Sequence, residues 1–311
     1  MIPDGGGICN PNSENIRNSC GETRLYLVSG GTLPYNDEKK TPGGGSIMNI
    51  NEKIRYAKDE HLTILRMTES AYLIEDDRNA TAYVVVGSEK ALVIDTCFGF
   101  EDYLEVVRSI TDLPLVLVNT HAHGDHCGGN GYFEKAFIGE AELPAYNNTD
   151  RPIVRAEGAP AACPAVVMNE GDLIDLGDRK IEAILFPGHT PGALCLLDRK
   201  ERILYTGDSI LGRTIYLFMV NSVTVSEMKK SLLHVKEYQA DFDHLGTGHG
   251  RVLDPVYYID SLIDACDTIL AGGPAERFGT IEVHGQTLPC CYYRGENDMQ
   301  ATLIYREDLK K

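Results

Sequence analysis

Short apolar runs separated by polar or glycine-containing turns dominate the chain from Ile54 onwards. The first of these runs are LTILRMT, AYLIED, TAYVVVG and ALVIDT. Apolar runs of this length, bounded by turn residues, are typical of antiparallel strands that follow one another in a meander. The pattern therefore predicts that one β-sheet forms in this part of the chain.

The hydrophobic period changes after residue 101, where apolar positions recur at three- and four-residue steps typical of an amphipathic helix. A buried strand, LPLVLVN, follows. Residues 172–208 alternate apolar runs with turn dipeptides, which predicts three or four more strands. Two further helices are predicted from about Val225 to Tyr238 and from about Pro255 to Leu270, with the strand FDHLGTGHG between them.

This order of elements predicts an α+β fold in which two strand-rich halves pack face to face with helices outside, a four-layered αββα sandwich. Residues 51–275 are expected to form the main domain, and residues 276–311 a C-terminal β-hairpin packed on it. Residues 1–50 are rich in Gly, Asn, Ser and Pro and show no sustained period, so they are interpreted as a tail or surface wrap.

The composition of the chain limits the classes of binding partner that we expect for it. The 29 Lys and Arg against 46 Asp and Glu give a formal net charge of −17, which repels phosphate backbones and disfavours nucleic-acid binding. No apolar run is long enough to span a bilayer, and the N-terminal residues lack the features of a secretory signal, so no membrane partner and a cytoplasmic location are expected. Nine cysteines without a CxxC spacing suggest neither a disulfide framework nor a zinc ribbon.

The segment VLVNTHAHGDHCGGN, residues 116–130, concentrates metal-binding side chains where a predicted strand ends. His121, His123, Asp125 and His126 offer imidazoles and a carboxylate, the ligands that zinc accepts. In an extended segment His121 and His123 point the same way, which leaves Asp125 and His126 for a second ion. A polar surface loop is the alternative, but so many histidines at this spacing favour a metal site.

Three later residues are candidates to complete two coordination spheres. His189 lies in FPGHTPG, Asp208 ends ILYTGD, and His249 ends FDHLGTGHG. Each stands at a predicted strand end on a glycine-containing turn, where side chains from separate strands converge at one edge of a sandwich. Taken singly each is an ordinary turn residue, whereas together they match the needs of the first cluster. The other histidines are interpreted as structural or solvent-facing, namely His61, His234, His244 and His284.

The ordered motifs THAHGDH, PGHTPG, TGD and GHG resemble the metallo-β-lactamase-fold hydrolase superfamily, in particular its glyoxalase II-like branch, over about residues 60–252. ALVIDTCFG resembles the early strand of that family, which ends in an aspartate, here Asp95. The resemblance implies two zinc ions, one held by His121, His123 and His189, the other by Asp125, His126 and His249, with Asp208 bridging. Asp95 would orient a ligand from behind, although an ordinary strand-end acid is an equal alternative.

The same resemblance implies a dinuclear zinc-dependent hydrolase of a small ester, thioester or lactone, acting through a hydroxide that bridges the metals. Asp125 would be the catalytic group that orients this hydroxide and returns a proton to the leaving group. Iron or manganese would fit the same nitrogen and oxygen ligands. Arg213 and Tyr216, on the segment after Asp208, would line a pocket for an anionic or planar group of a small-molecule substrate, unless they are exposed.

Departures from known relatives narrow the activity. Flavodiiron oxygen reductases resemble this pattern but have a glutamate where His123 stands, and class B β-lactamases have cysteine or histidine in place of Asp208. Acyl-homoserine lactonases place a tyrosine where this chain has Leu211. A thioesterase of the glyoxalase II type is therefore the nearest named activity, and lactonase activity is weakened but not excluded. The segment GDSILGRTIYLFMV lacks the basic and aromatic glutathione-binding arrangement of that branch. A phosphodiesterase or nuclease of the same fold and a non-enzymatic metal-binding module stay open, as does a homodimer.

Overall fold

The computed structural model describes residues 53–54, 61–100, 103–212, 214–219, 221–250, 252–283, 285–294 and 301–311. These all belong to one structural unit, Asn49–Lys311. Arg213, His284 and the N-terminal segment 1–50 lie outside the described residues. The domain boundaries expected from the sequence, and the cytoplasmic location, stay predictions.

The first sheet has eight strands in chain order, and its central strands are buried on both faces. The first five strands pair antiparallel, as the meander pattern predicts, whereas the later ones pair in parallel. The strands are β1 (Lys53–Ile54), β2 (Leu62–Arg66), β3 (Ala71–Asp76), β4 (Thr81–Val86), β5 (Ala91–Ile94), β6 (Leu115–Val118), β7 (Ala136–Gly139) and β8 (Ala165–Met168).

The second sheet has six strands in the order β15-β14-β12-β11-β10-β9. Its first four strands in chain order fall within residues 172–208, where the sequence predicts three or four. They are β9 (Leu173–Asp175), β10 (Lys180–Leu185), β11 (Leu194–Asp198) and β12 (Ile203–Gly207), followed later by β14 (His244–Thr247) and β15 (Asp254–Pro255).

A third sheet has four strands in the order β13-β18-β17-β16. Its strands are β13 (Thr214–Leu217), β16 (Glu276–Val283), β17 (Gln286–Arg294) and β18 (Thr302–Arg306). β16 and β17 form an antiparallel hairpin, and β18 pairs with both β17 and β13. The sequence pattern indicates the hairpin but not β13, nor the pairing that ties the chain end to it.

Among the described residues, five α-helices accompany the sheets. They are α1 (Tyr103–Ile110), α2 (Gly124–Cys127), α3 (Leu143–Tyr146), α4 (Val225–Lys236) and α5 (Tyr257–Leu270). Thr224 caps α4 because its hydroxyl accepts from the Glu227 backbone N–H while the Glu227 carboxylate accepts from the Thr224 backbone N–H. In the part of the chain that the structure describes, no helix combines the length and apolarity needed to cross a bilayer.

Three apolar cores separate four layers. The core between the first two sheets contains Tyr83 and Val85 of β4 together with Leu194 and Leu196 of β11. The opposite face of the first sheet, including Val84, packs on α1. The opposite face of the second sheet packs on α4 and α5, and the third sheet contributes to that same core. This is the four-layered α+β arrangement that the sequence predicts.

Strand directions determine where the loops meet. β10 and β12 both pair antiparallel with β11, and β12 pairs in parallel with β14, so β10, β12 and β14 run the same way. Their carboxyl ends therefore lie at one edge of the second sheet. The loop after β6 joins this edge because the Leu194 backbone N–H donates to the Thr120 carbonyl at 2.8 Å.

Candidate metal centre

The strand ends bring all seven predicted ligands together. The loop and helix α2 after β6 carry four of them, and the loops after β10, β12 and β14 carry one each. Three overlapping groups of donor atoms result, with the members of each group within 4.8 Å of one another. The groups are His121, His123 and His189; His121, His126 and Asp208; and Asp125, His126 and His249.

The first group presents three imidazole nitrogens to one point. His123 Nδ1 lies 3.0 Å from His121 Nε2 and 3.0 Å from His189 Nε2. Nitrogens bound to a tetrahedral zinc at about 2.1 Å stand roughly 3.4 Å apart. His121 and His189 are buried, so the backbone around them holds the rings in place. The spacing fits a single cation between the three rings.

The second group combines a carboxylate with two imidazoles. Asp125 Oδ2 lies 3.8 Å from His126 Nε2 and 3.5 Å from His249 Nε2. The His126 ring is fully buried, whereas about a quarter of the Asp125 and His249 side chains is exposed. The group therefore faces solvent on one side, as a site that admits a substrate requires.

Asp208 lies between the two groups. Its Oδ1 is 3.4 Å from His126 Nε2, and its Oδ2 is 3.3 Å from His249 Nε2 and 3.8 Å from His189 Nε2. His126 Nε2 and Asp208 Oδ1 are buried without a hydrogen-bond partner. Buried polar atoms normally have a partner, so this pair fits a cation that accepts both lone pairs.

Burial and charge divide the site into two halves. Burial, with the neighbouring imidazoles, lowers the pKa of His121 below its usual range and that of His123 to about 3. For His126 and His249, burial is outweighed by carboxylates, chiefly Asp208, which raise the pKa of His126 well above its usual value and that of His249 to about 9. The imidazoles of His121 and His123 are thus neutral and ready to bind a cation, whereas a cation bound by His126 and His249 must displace protons.

Asp95 supports this arrangement from behind. Its Oδ2 lies 2.8 Å from His126 Nδ1, and it accepts hydrogen bonds from the Thr120 backbone N–H at 2.8 Å and the Thr120 hydroxyl at 2.7 Å. Asp95 has a φ of 61°, a conformation that aspartate adopts more readily than most residues. A proton shared between Asp95 and His126 Nδ1 leaves Nε2 free to bind a cation.

We expect Asp95→Asn to weaken metal binding by about 10- to 100-fold. The amide can donate to His126 Nδ1, which would place the ring proton on Nε2 and block the lone pair that faces Asp208. Titration of the metal-free variant with zinc against a competing chelator measures this affinity. Wild-type affinity in a folded Asp95→Asn protein would show that Asp95 is an ordinary strand-end acid.

Two backbone carbonyls orient further rings and leave no mark in the sequence pattern. His189 Nδ1 lies 2.6 Å from the Tyr216 carbonyl oxygen, and His249 Nδ1 lies 2.7 Å from that of Asn79. Each contact directs the opposite nitrogen, Nε2, towards the ligand groups. Because any residue type supplies a carbonyl, sequence analysis has no signal for such partners.

The remaining predicted residues lie at or beyond the margin of the site. Tyr216 is half-buried on β13, next to His189 through its carbonyl, and Arg213 is outside the described residues. His234 is hydrogen-bonded to Glu170 on the surface, apart from the ligand groups.

Solved structures share this fold. The chain aligns with a metallo-β-lactamase from Pontibacter korlensis with a TM-score of 0.52 and 16% identity, covering 65% of this chain and 97% of that one. The DIM-1 metallo-β-lactamase aligns with a TM-score of 0.54 and 18% identity, covering 68% and 99%.

Curated relatives include an acyl-coenzyme A thioesterase and a hydroxyacylglutathione hydrolase. The acyl-coenzyme A thioesterase MBLAC2 of Gallus gallus is 33% identical over 164 residues, 44% of this chain and 59% of that protein. The hydroxyacylglutathione hydrolase of Bdellovibrio bacteriovorus is 28% identical over 158 residues, 50% of this chain and 55% of that protein. The chain thus spans less than two thirds of the length of either relative.

The model of the metallo-beta-lactamase superfamily matches residues 76–249, more than half of the chain, and this range contains all seven candidate ligands. The chain therefore belongs to the metallo-β-lactamase superfamily, as its motifs predict.

Proposed function

We propose that this protein is a thioester hydrolase that uses two zinc ions. The observation that carries the proposal is the position of Asp208, whose two oxygens face His126 on one side and His189 and His249 on the other. The names of the relatives, an acyl-coenzyme A thioesterase and a hydroxyacylglutathione hydrolase, support a thioester over an ester or lactone.

In this proposal His121, His123 and His189 hold one zinc, Asp125, His126 and His249 hold the other, and Asp208 contacts both. Bound in this way, the two ions would supply Lewis acidity and, at neutral pH, a shared hydroxide as the nucleophile. Iron or manganese is the alternative, because the donor set of nitrogen and oxygen accepts several divalent cations.

Asp125 is proposed as the catalytic acid-base residue. Its side chain is about a quarter exposed, in contrast to the buried Asp208, so it borders the space that a substrate would enter. A thiol has a pKa of about 8.5, so a thiolate leaves with little need for protonation. For thioesters, Asp125 would therefore mainly orient the attacking water and accept its proton, which it would pass to the departed thiolate afterwards.

A series of aromatic rings extends along the third sheet from a position beside His189. These rings support a substrate with an apolar acyl group. The ring centroids of Tyr216 and Phe218 are 5.4 Å apart, those of Phe218 and Phe278 6.4 Å, and those of Phe278 and Tyr292 6.3 Å. Phe278 is 46% exposed. Tyr216 begins this series beside His189, so we propose that it contacts the acyl group near the scissile bond.

We expect Phe278→Ala to raise KM for long-chain acyl thioesters about fivefold, from the loss of roughly 1 kcal/mol of apolar contact, and to leave acetyl thioesters unchanged. Steady-state kinetics across a series of chain lengths measures this. Leu233 on α4 is also 46% exposed and provides the matched control, Leu233→Ala. Equal effects on short and long chains would contradict an acyl surface at Phe278.

A substrate screen of the zinc-loaded protein tests the activity itself. The panel contains an acyl-coenzyme A, a hydroxyacylglutathione, a p-nitrophenyl ester, a lactone and bis-p-nitrophenyl phosphate, alongside measurement of zinc per chain. We expect two zinc ions and the highest kcat/KM for a thioester. Faster cleavage of the phosphodiester would identify a phosphodiesterase, and full metal loading without any hydrolysis would identify a metal-binding module.

A further inference from the structure

A buried carboxylate outside the seven ligands joins the two loops of the first group. Glu142 lies at the end of the turn that follows β7, and its side chain is fully buried. Its Oε2 accepts a hydrogen bond from the Ala122 backbone N–H at 2.9 Å, and its Oε1 accepts one from the Gly192 backbone N–H at 2.8 Å. One carboxylate thus spans two separate segments of chain.

Both donors belong to segments that carry ligands. Ala122 stands between His121 and His123, and Gly192 follows His189 by three residues. A shift of either backbone N–H would therefore move the ligand beside it and change the distances between the imidazole nitrogens of His121, His123 and His189. Metal sites depend on ligand geometry held before the ion arrives, and partners behind the ligands supply much of it.

Glycines permit this close approach. A Cβ on Gly192 would stand 2.8 Å from the Glu142 backbone nitrogen and 3.0 Å from its Cγ, closer than real contacts allow. A Cβ on Gly139 would stand 2.0 Å from the Gly192 carbonyl oxygen. The turn after β7 and the loop after His189 are therefore packed backbone against backbone, with the Glu142 carboxylate at the centre of the contact.

The carboxylate of Glu142 lacks a counterion in the described part of the chain, where no Lys, Arg or His forms an ion pair with it. Burying a carboxylate without a cation is costly, and two backbone donors compensate for only part of that cost. A cation held by His121, His123 and His189 would offset this charge.

We infer that Glu142 is a positioning residue of the metal centre: it fixes the spacing of His121, His123 and His189, and its buried negative charge favours the cation that they hold. The inference rests on the metal site of the proposed function but extends to a residue that contacts neither substrate nor ligand nitrogen.

Glu142→Gln tests the inference with little change in volume. The glutamine amide keeps one oxygen that can accept a hydrogen bond from a backbone N–H. Its NH₂ group faces the other backbone N–H, and the negative charge is lost. We expect the affinity of the metal-free protein for Co²⁺ to fall about 10- to 100-fold, and the visible absorption of the bound Co²⁺ to change as its ligand geometry loosens. Thioester hydrolysis should lose kcat with KM unchanged, since the substrate surface is intact. Glu142→Asp, which keeps the charge with a shorter reach, should fall between wild type and Glu142→Gln.

Asp198→Asn is the matched control. Asp198 is also a fully buried carboxylate that accepts two backbone N–H bonds, from Lys200 and Glu201. It differs from Glu142 in that it pairs with Arg179 at 2.8 Å and ends β11 at the edge away from the ligands. The Asp198→Asn variant should have a lower unfolding temperature, but the same Co²⁺ affinity and the same Co²⁺ absorption spectrum as the wild-type protein. The inference is overturned if Glu142→Gln behaves the same way. Failure of the wild-type protein to bind Co²⁺ would instead overturn the metal site itself.

Discussion

Replacing Asp208 by alanine is expected to empty at least one of the two proposed metal positions and to abolish hydrolysis. Asp208 is the carboxylate that approaches the nitrogens of His126, His189 and His249, so its loss removes a donor from both halves of the site. Its pKa is held well below the usual range because the neighbouring His249 and His126 outweigh the effect of burial. Without that charge, Asp125 is the one carboxylate left among the candidate ligands, beside five imidazoles.

The expected result is a metal content of at most one ion per chain and a fall in thioester kcat/KM of about 1000-fold or more, because the loss of a single electrostatic stabiliser already costs about 100- to 1000-fold. Atomic emission on the purified protein measures the metal, and initial rates with excess zinc measure the activity. Asp208→Asn should also lower the metal content and kcat/KM, but by less, because the amide oxygen remains a weak metal ligand. Asp198→Asn again serves as control, since it makes the same chemical change in a buried strand-end aspartate. An Asp208→Ala protein that keeps two zinc ions would contradict the bridging position.

The strands could be predicted because burial determines their composition. β4 and β11 are apolar almost throughout, and their side chains alternate between the core that joins the sheets and the core beneath the helices. A strand covered on both faces needs such a run, so the local sequence is sufficient. The four-layer arrangement follows from two sets of such strands combined with amphipathic helices.

Pairing between distant segments could not be predicted in this way. β13 is a short strand whose partner β18 lies near the chain end, and the two pair in parallel. Nothing in the TIYL run of β13 specifies that partner. The sequence likewise predicts a hairpin near the C-terminus but not its attachment beside Tyr216, which gives the third sheet its position next to His189.

The candidate ligands could be predicted because their chemistry is carried by side chains. Histidine and aspartate at strand ends are uncommon enough in combination to indicate a metal site from the sequence alone. Their supports could not be found this way, since the Asn79 and Tyr216 carbonyls have no residue-specific signature. Glu142 is one of 46 acidic residues, and only its burial beside Ala122 and Gly192 distinguishes it.

Gly248 shows how a residue without a side chain determines the geometry of the centre. A Cβ at this position would stand 2.2 Å from Asp208 Oδ1 and 2.8 Å from His126 Cε1. Both atoms belong to side chains, so Gly248→Ala can be accommodated by rotation of the carboxylate and the ring. The fold survives such a shift, whereas the approach of Asp208 Oδ1 to His126 Nε2 does not.

We therefore expect Gly248→Ala to separate stability from metal binding. The free energy of unfolding of the metal-free protein should change by no more than about 1–2 kcal/mol, measured by urea denaturation. Affinity for the second of the proposed metals should fall at least about 100-fold, and thioester hydrolysis with it, because the displaced groups are proposed ligands and not their supports. Gly250→Ala is the matched control on the other side of His249, where the nearest atom to a new Cβ is Thr247 Oγ1 at 2.9 Å and no candidate ligand is crowded. That variant should keep both metals. If Gly248→Ala binds zinc as tightly as Gly250→Ala, the contact between Asp208 and His126 is not what holds the second cation.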